Sequence, residues 1–206
     1  MKIDAKNRIS KVIGIYFLSL GVFSILYSAL VRKNPDQILW LCYIALVLFG
    51  FGILAKNKNL TVSQLSIQFF PLIVWNTDFF YEMITNKPLW GMTSYFFTPY
   101  HPLIAKFITL QHIYTIPLSL FAIYLIRTKE RFNYKKIFLI SFIQMLAVFI
   151  LGKLFTDPEK NMNCVFHACI PLISPIPYEL LWFAVVFVII VLSTIIFTSL
   201  PFLRKK

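Results

Sequence analysis

Six stretches of this chain are long and apolar enough to cross a lipid bilayer. A membrane-spanning helix needs about 20 mostly apolar residues, because each residue rises about 1.5 Å across a hydrocarbon core of about 30 Å. Such stretches cover residues 10–31, 37–55, 62–84, 103–126, 136–155 and 177–200. Charged residues make up 14% of the chain, against about 25% in globular proteins. We therefore predict an all-α membrane bundle of six transmembrane helices that forms a single domain over residues 1–206.

The basic residues predict how this bundle is oriented. Of the 20 Lys and Arg residues, fourteen lie at 2–11, 56–58, 127–136 and 204–206, while six lie on the opposite side. The positive-inside rule places the richer side in the cytoplasm. We therefore predict a multi-pass protein of the cell membrane, the inner membrane in a bacterium, with both termini cytoplasmic and the connections 85–102 and 156–176 outside.

The net charge of +12 raises the question of nucleic acid. A nucleic-acid-binding protein needs a basic face that follows the phosphates. Here the basic residues are divided between the ends of apolar stretches, so membrane lipids are the predicted partners and nucleic acid is not.

Polar side chains within the predicted spans mark a candidate site, because such residues are costly in lipid and usually face the bundle interior. The candidates are Cys42, Asn76, Asp78, Gln111, His112, Gln144 and Lys153. Several fall at similar depths in the outer half of the bilayer, with His112 about 13 Å into its span.

A thiol and an imidazole at similar depth suggest nucleophilic catalysis. The imidazole of His112 would take the proton of Cys42, and the thiolate would attack an ester carbonyl. Asp78 or Gln111 would orient the base, and Asn76 would be an oxyanion donor. The alternative is structural: a hydrogen-bonded core histidine and a small packing cysteine.

Two aromatic segments are candidates for substrate binding. Trp75 lies beside Asn76 and Asp78, and Tyr95 lies in the aromatic run 89–97, which fits an interfacial segment covering a lipid-binding cavity. An interfacial anchor at Trp75 and a plain aromatic belt at 89–97 are the simpler interpretations.

The predicted outer loop contains Cys164, His167 and Cys169. A Cys164–Cys169 disulfide is the first interpretation and free thiols the second. Zinc would lack a sure fourth ligand, although His101 is on the same side. We predict no metal and no cofactor.

Three motifs resemble a family of bacterial six-span membrane proteins without an assigned activity. They cover the C-terminal two-thirds of the chain, and they are Trp75-Asn-Thr-Asp-Phe79, Leu89-x-Gly-x-Thr-x-Tyr-x-Phe97 and Asp157-Pro-Glu-Lys-Asn-Met-Asn-x-Val-Phe166.

The layout is also similar to the androgen-induced integral-membrane hydrolases, which cleave fatty-acid esters of hydroxy fatty acids, and to a related transmembrane acyltransferase. The shared features are six spans, His112 followed five residues later by Pro117, the Phe70-Pro71 pair, and Cys42 where the family has its nucleophile. The resemblance implies a nucleophile role for Cys42 and a base role for His112. The outer loops differ, and the hydrolases use Thr where this chain has Cys.

These observations predict a lipid acyl hydrolase or acyltransferase. The alternatives are a transporter or binding protein for lipids or small molecules, and a non-catalytic scaffold subunit. A homo-oligomer and a membrane partner both remain open.

Overall fold

The computed structural model describes residues 3–171 and 176–203, and this part of the chain is helical without a β-strand. Its α-helices are α1 (Ile3–Leu26), α2 (Leu41–Leu54), α3 (Lys58–Thr85), α4 (Ser94–Phe97), α5 (Leu103–Thr109), α6 (Gln111–Ile126), α7 (Tyr134–Phe155) and α8 (Tyr178–Ser199). A π-helical turn, Tyr27–Val31, extends α1. Short 3₁₀ turns lie at Pro35–Leu39, Pro158–Lys160, Met162–Cys164 and Pro201–Leu203.

Four helical segments are long and apolar enough to cross a membrane: Asp4–Val31, Leu103–Ile126, Tyr134–Phe155 and Tyr178–Ser199. They correspond to the first, fourth, fifth and sixth predicted stretches. The second stretch forms the 14-residue helix α2, because the residues before it form the 3₁₀ turn Pro35–Leu39. The third stretch forms α3, which has 28 residues but is less apolar than the four.

Helix α3 lies at the centre of the bundle and packs against α2, α6, α7 and α8. Its first turns bury several polar side chains, which are Thr61, Ser63, Gln64, Ser66 and Gln68. Some of these bond to neighbouring helices, as the Gln64 amide does when it donates to Gln144 Oε1 at 2.7 Å. These polar groups of α3 are therefore enclosed by the bundle, and some of them connect helices.

Helices α1 and α2 pack so closely that side chains are excluded at their crossing. A Cβ atom added to Gly50 would lie 2.5 Å from the backbone nitrogen of Leu18 and 2.7 Å from the carbonyl oxygen of Gly14. Small residues at helix crossings in membranes allow this approach.

Both described chain ends lie at the same end of the bundle, here called the terminal end. Lys56 Nζ donates to Asn7 Oδ1 at 3.1 Å, and Arg127 donates to the carbonyl of Phe202 at 2.6 Å. The opposite end carries the connections 86–102 and 156–171 and is called the loop end. There Lys160 forms an ion pair with Asp36 at 2.5 Å.

The ion pair at the loop end shifts the titration of its acid. The hydrogen bond and positive charge of Lys160 lower the pKa of the Asp36 carboxyl below its ordinary value of 3.8. The pair therefore holds the turn before α2 to the 156–171 loop at neutral pH.

Candidate functional site

A cavity of about 320 Å³ lies near the loop end, among α2, α3, α6, α7, α8 and the loop 156–171. Its wall is mainly aliphatic and aromatic, and it includes Trp40, Trp75 and Trp182. The other polar groups at the wall are Cys42, Gln68, His112, Asn163, Tyr178 and the Cys164 and Cys169 sulfurs. Among the described lining residues there is no Lys, Arg, Asp or Glu. This volume is at the lower end of ligand pockets, which span about 300–1,000 Å³.

The cavity reaches the lateral surface of the bundle. Two of its lining residues, Pro71 of α3 and Val185 of α8, are also exposed on that surface. An apolar ligand could therefore enter sideways between α3 and α8, without passing through the loop end.

Cys42 lies in the first turn of α2, and the loop 156–171 fixes where that turn begins. Asn163 Oδ1 accepts a hydrogen bond from the backbone N–H of Leu41 at 2.9 Å, and its Nδ2 donates to the Leu39 carbonyl at 2.8 Å. Both Cys42 and Asn163 line the cavity. Asn163 therefore connects the cavity-lining loop to the backbone that carries the thiol.

His112 lies just after a break between α5 and α6. At this break Ile113 N–H bonds to the carbonyl of Leu110 at 3.1 Å, so the Thr109 carbonyl can accept from His112 Nδ1 at 2.7 Å. With the proton assigned to Nδ1, the lone pair lies on Nε2, 3.2 Å from the Gln111 amide nitrogen. The predicted single helix over 103–126 is thus interrupted where the imidazole needs a carbonyl partner.

Trp75 holds the imidazole from the other side. Its ring stacks on the His112 ring with the centroids 4.5 Å apart and an interplanar angle of 20°. Both residues line the cavity.

The thiol and the imidazole share the cavity, but they do not bond to each other. Among the described residues, the hydrogen-bond partners of the His112 ring are Thr109 and Gln111. The structure therefore brings the two predicted catalytic groups to one wall without forming a Cys–His hydrogen bond.

Asp78 takes a different position from the one expected for an orienting acid. Its buried carboxylate accepts from the backbone N–H groups of Trp90 (2.7 Å), Gly91 (3.3 Å) and Thr93 (2.8 Å), and from the Thr93 hydroxyl (2.9 Å). It neither contacts His112 nor lines the cavity in the described structure. Its geometry supports a role in positioning the segment 90–93, which includes the cavity-lining residue Met92.

Asn76 and Gln111 stand behind the cavity wall. Asn76 Nδ2 donates to the carbonyls of Leu72 (2.7 Å) and His112 (3.0 Å), which ties α3 to α6. Gln111 is buried and its Oε1 accepts from the Thr115 hydroxyl at 2.9 Å. Neither side chain lines the cavity. Asn76 contacts the backbone of His112 and Gln111 contacts its ring, so both hold His112 in place from behind the wall.

Tyr95 lies outside the cavity wall as well. It is 40% exposed, and its ring packs edge-on against His101 with centroids 5.1 Å apart. Burial, together with the positive charges of Arg32 and Lys106, lowers the pKa of His101 below its ordinary value, so this ring is neutral at pH 7.

Cys164 and Cys169 form a disulfide, and the sulfurs are therefore not metal ligands. Asn161 orders the same loop, because its Oδ1 accepts from the N–H groups of Phe166 and His167 at 2.9 and 3.1 Å. The Tyr178 hydroxyl donates to the Cys164 carbonyl. No group of three His, Cys, Asp or Glu suited to a metal occurs in the described ranges.

Gln68 is a cavity residue that the sequence reasoning missed. It is 2% exposed, lines the cavity, and has no hydrogen-bond partner at either Nε2 or Oε1. The available signal was an amide in an apolar span, but Gln68 lies in a run with several polar neighbours and so did not stand out.

Comparisons with known proteins found no matching family model, no matching curated protein and no matching solved structure.

Proposed function

We propose that this chain is a six-span protein of the cell membrane with both termini in the cytoplasm. The observation that supports this topology is that both described chain ends lie at the terminal end, together with the basic 127–136 connection. Helix α2 and the partly polar α3 would then complete the six spans, with the polar groups of α3 bonded inside the bundle. The cavity would lie in the outer half of the bilayer.

We further propose that the cavity binds one acyl chain of a membrane lipid and that Cys42 and His112 hydrolyse or transfer the acyl group. The observation that carries this proposal is one apolar cavity, reaching the lateral surface, whose wall includes both the thiol and the imidazole. The absence of charged groups from the described wall suits a hydrocarbon chain with a neutral ester, since an unpaired charge there would be costly. The small volume suits a single chain.

The proposed chemistry assigns one step to each group. His112 Nε2 takes the Cys42 thiol proton, the sulfur attacks the ester carbonyl carbon, and the ester C–O bond breaks. The departing alcohol takes the proton back from His112, leaving a thioester on Cys42. Water completes hydrolysis, or a second alcohol completes transfer, and Cys42 regains its proton.

Before this can happen, the His112 ring must gain access to the thiol. The Gln111 amide lies 3.2 Å from Nε2, so the ligand-bound state requires that contact to lengthen. Catalytic hydrogen bonds often tighten only in the substrate complex. Cys42, His112 and Trp75 line the cavity and would contact the substrate. Asn76, Asp78 and Gln111 would act as positioning residues.

The test is covalent labelling of the purified protein with a lipid-like, thiol-reactive acyl probe. Cys42 is the one cysteine outside the disulfide among the three in the chain, so the labelled site is unambiguous. We expect labelling of wild type, none in Cys42→Ala, and a rate reduced by about 10²-fold or more in His112→Ala. His101→Ala is the matched control, since His101 is at the same end but does not line the cavity.

If labelling of Cys42 is equally fast in His112→Ala and in wild type, the base role is refuted. A thiol that never reacts refutes acyl chemistry altogether.

A second candidate function is lipid binding or transport without chemistry. It is favoured by the partners of the His112 ring, which are Thr109 and Gln111 and not the thiol. A photoreactive lipid that crosslinks to the cavity while Cys42 remains unacylated would support this candidate over catalysis.

A further inference from the structure

A groove of about 430 Å³, separate from the cavity, lies on the lateral surface of the bundle between α1 and α6. It is lined by one residue of α1 and four of α6, which are Tyr16, Tyr114, Pro117, Leu118 and Phe121. The described wall contains no charged side chain, and the hydroxyls of Tyr16 and Tyr114 bond to each other. Tyr16, Pro117 and Phe121 are exposed, so the groove is open to the side of the bundle and suits an apolar chain.

Two cations lie just beyond this groove, towards the terminal end. Tyr124 follows Phe121 by about one turn of α6, and the two rings stack with their centroids 6.4 Å apart. Lys6 Nζ lies 5.7 Å from the centroid of the Tyr124 ring, and Arg127 Cζ lies 4.0 Å from the same centroid. Both distances are within the range of cation–π contacts. One ring therefore holds a cation from α1 and a cation from the end of α6 next to the groove.

The two cations have no acidic partner among the described residues. The ion pairs in that part of the chain are formed by other lysines, which are Lys58, Lys153 and Lys160. Asp4 is the acidic residue of α1, but it is two residues from Lys6 and so does not share its helix face. Arg127 donates to the carbonyl of Phe202 at 2.6 Å, which is a neutral acceptor. Both positive charges therefore remain available to an anion.

We propose that the groove binds one acyl chain of an anionic phospholipid and that Lys6 and Arg127 bind its phosphate. The ligand must carry a negative charge next to a hydrocarbon chain, because the cations lie one turn from the end of the apolar groove. Basic residues near a membrane surface attract anionic lipids, and both Lys and Arg bind phosphate through charge-assisted hydrogen bonds. A zwitterionic head would add a positive charge where the described structure offers no acid.

The lipid site goes beyond the proposed function. It shares no residue with the cavity that Cys42 and His112 line, and it requires only that the bundle lies in a membrane. An unreactive Cys42 would therefore leave the lipid site intact, and the absence of the lipid site would not affect the acyl chemistry.

The test is photo-crosslinking with two lipid probes, phosphatidylglycerol and phosphatidylcholine, that carry the same diazirine-bearing acyl chain. Each probe is a small fraction of the lipid in phosphatidylcholine nanodiscs that contain the full chain. Mass spectrometry of the digested protein gives the labelling of residues 114–121, normalised to the labelling of the exposed side chains Leu139 and Ile143 on α7. The measured quantity is the ratio of this normalised labelling between the two probes.

Each basic residue near a membrane surface contributes a preference of about fivefold for an anionic lipid. We therefore expect the ratio to be about tenfold or more in the wild-type protein, and to fall about fivefold in Lys6→Gln. Arg127→Lys retains the charge and should retain most of the preference. Lys11→Gln is the matched control, because Lys11 is an exposed lysine of the same helix and is not one of the cations at Tyr124. Its ratio should equal that of the wild type.

Four results would overturn the proposal. A ratio near one in the wild-type protein would mean that the groove does not select an anionic lipid, and no labelling of 114–121 by either probe would mean that no lipid enters it. An unchanged ratio in Lys6→Gln would remove the phosphate contact. An equal fall in Lys11→Gln would mean that the preference reflects the overall positive charge of the terminal end and not a site.

Discussion

Asn163 offers a measurement of how firmly the cavity loop holds the start of α2. Its side chain accepts from Leu41 N–H at 2.9 Å and donates to the Leu39 carbonyl at 2.8 Å. Its backbone is left-handed, with φ of 54°. Replacing it therefore removes two hydrogen bonds in every variant, and adds a backbone cost only where the new residue has a Cβ atom.

These two contributions can be separated by two substitutions. Each hydrogen bond contributes about 1 kcal/mol, so Asn163→Gly should lower the free energy of unfolding by about 2 kcal/mol. Asn163→Ala should lower it by about 3 kcal/mol, because alanine in the left-handed region costs about 1 kcal/mol more. Glycine should thus be the less harmful replacement.

Asn86 is the matched control for the backbone contribution. It ends α3 with the same φ of 54°, is exposed, and its one hydrogen bond in the structure is from its backbone N–H to Glu82. Asn86→Gly should leave stability nearly unchanged, and Asn86→Ala should cost about 1 kcal/mol.

The assay is reversible unfolding by sodium dodecyl sulfate in mixed micelles, followed by tryptophan fluorescence, with the rate of Cys42 alkylation as a second readout. The alkylation rate should rise in both Asn163 variants, since the first turn of α2 loses its anchor, and in neither Asn86 variant. The reasoning is refuted if Asn163→Gly is as stable as wild type, or if Asn163→Ala is the more stable of the pair.

Three further predictions concern the helix crossing, the 90–93 segment and pH. Gly50→Ala should cost about 2 kcal/mol or more in the same unfolding assay, because its methyl group would lie 2.7 Å from the Gly14 carbonyl. Asp78→Asn should make the segment 90–93 open about tenfold more often, which is measured as faster cleavage by protease. The reason is that the asparagine NH₂ would face backbone N–H groups from which the carboxylate now accepts hydrogen bonds. Because Lys160 lowers the pKa of Asp36, their contact is intact above about pH 4 and should be lost as the pH falls through that lowered pKa. The loss is measured as a fall in the protection of the 157–163 backbone amides against hydrogen exchange. In Asp36→Asn, this protection should no longer depend on pH.

The helical class and the four longest apolar helices could be predicted because apolar length is a strong signal. The bounds of α8 agree with the stretch 177–200 to within a residue at each end. The break at Leu110 could not be predicted, because residues 103–126 contain no Gly or Pro near Leu110 and Pro117 lies seven residues later. At the break, the Ile113 N–H bonds to the Leu110 carbonyl, and the Thr109 carbonyl accepts a hydrogen bond from His112 Nδ1 instead.

The site was predictable as a set of residue types and not as a set of contacts. Depth along each helix grouped Cys42, Asn76, Asp78 and His112, and of these Cys42 and His112 line the same cavity. Depth says nothing of direction, however, and so it did not distinguish Asp78, which bonds to the loop after α3, from a side chain facing the cavity. The rotation of α3 about its own axis decides which side chains face the cavity. It is set by packing against four neighbouring helices, which a single sequence does not reveal.

The polar content of α3 has one explanation in its position. A helix surrounded by four others can bury amides and hydroxyls where its neighbours supply partners. Gln64 Nε2 donates to Gln144 on α7, and Ser66 Oγ accepts from the Thr194 hydroxyl on α8. The same residues lower the apolar character of α3 below that of the outer helices. Gln68 departs from this pattern, because neither its Nε2 nor its Oε1 has a partner, and it lies in the stretch 67–75 where α3 borders the cavity.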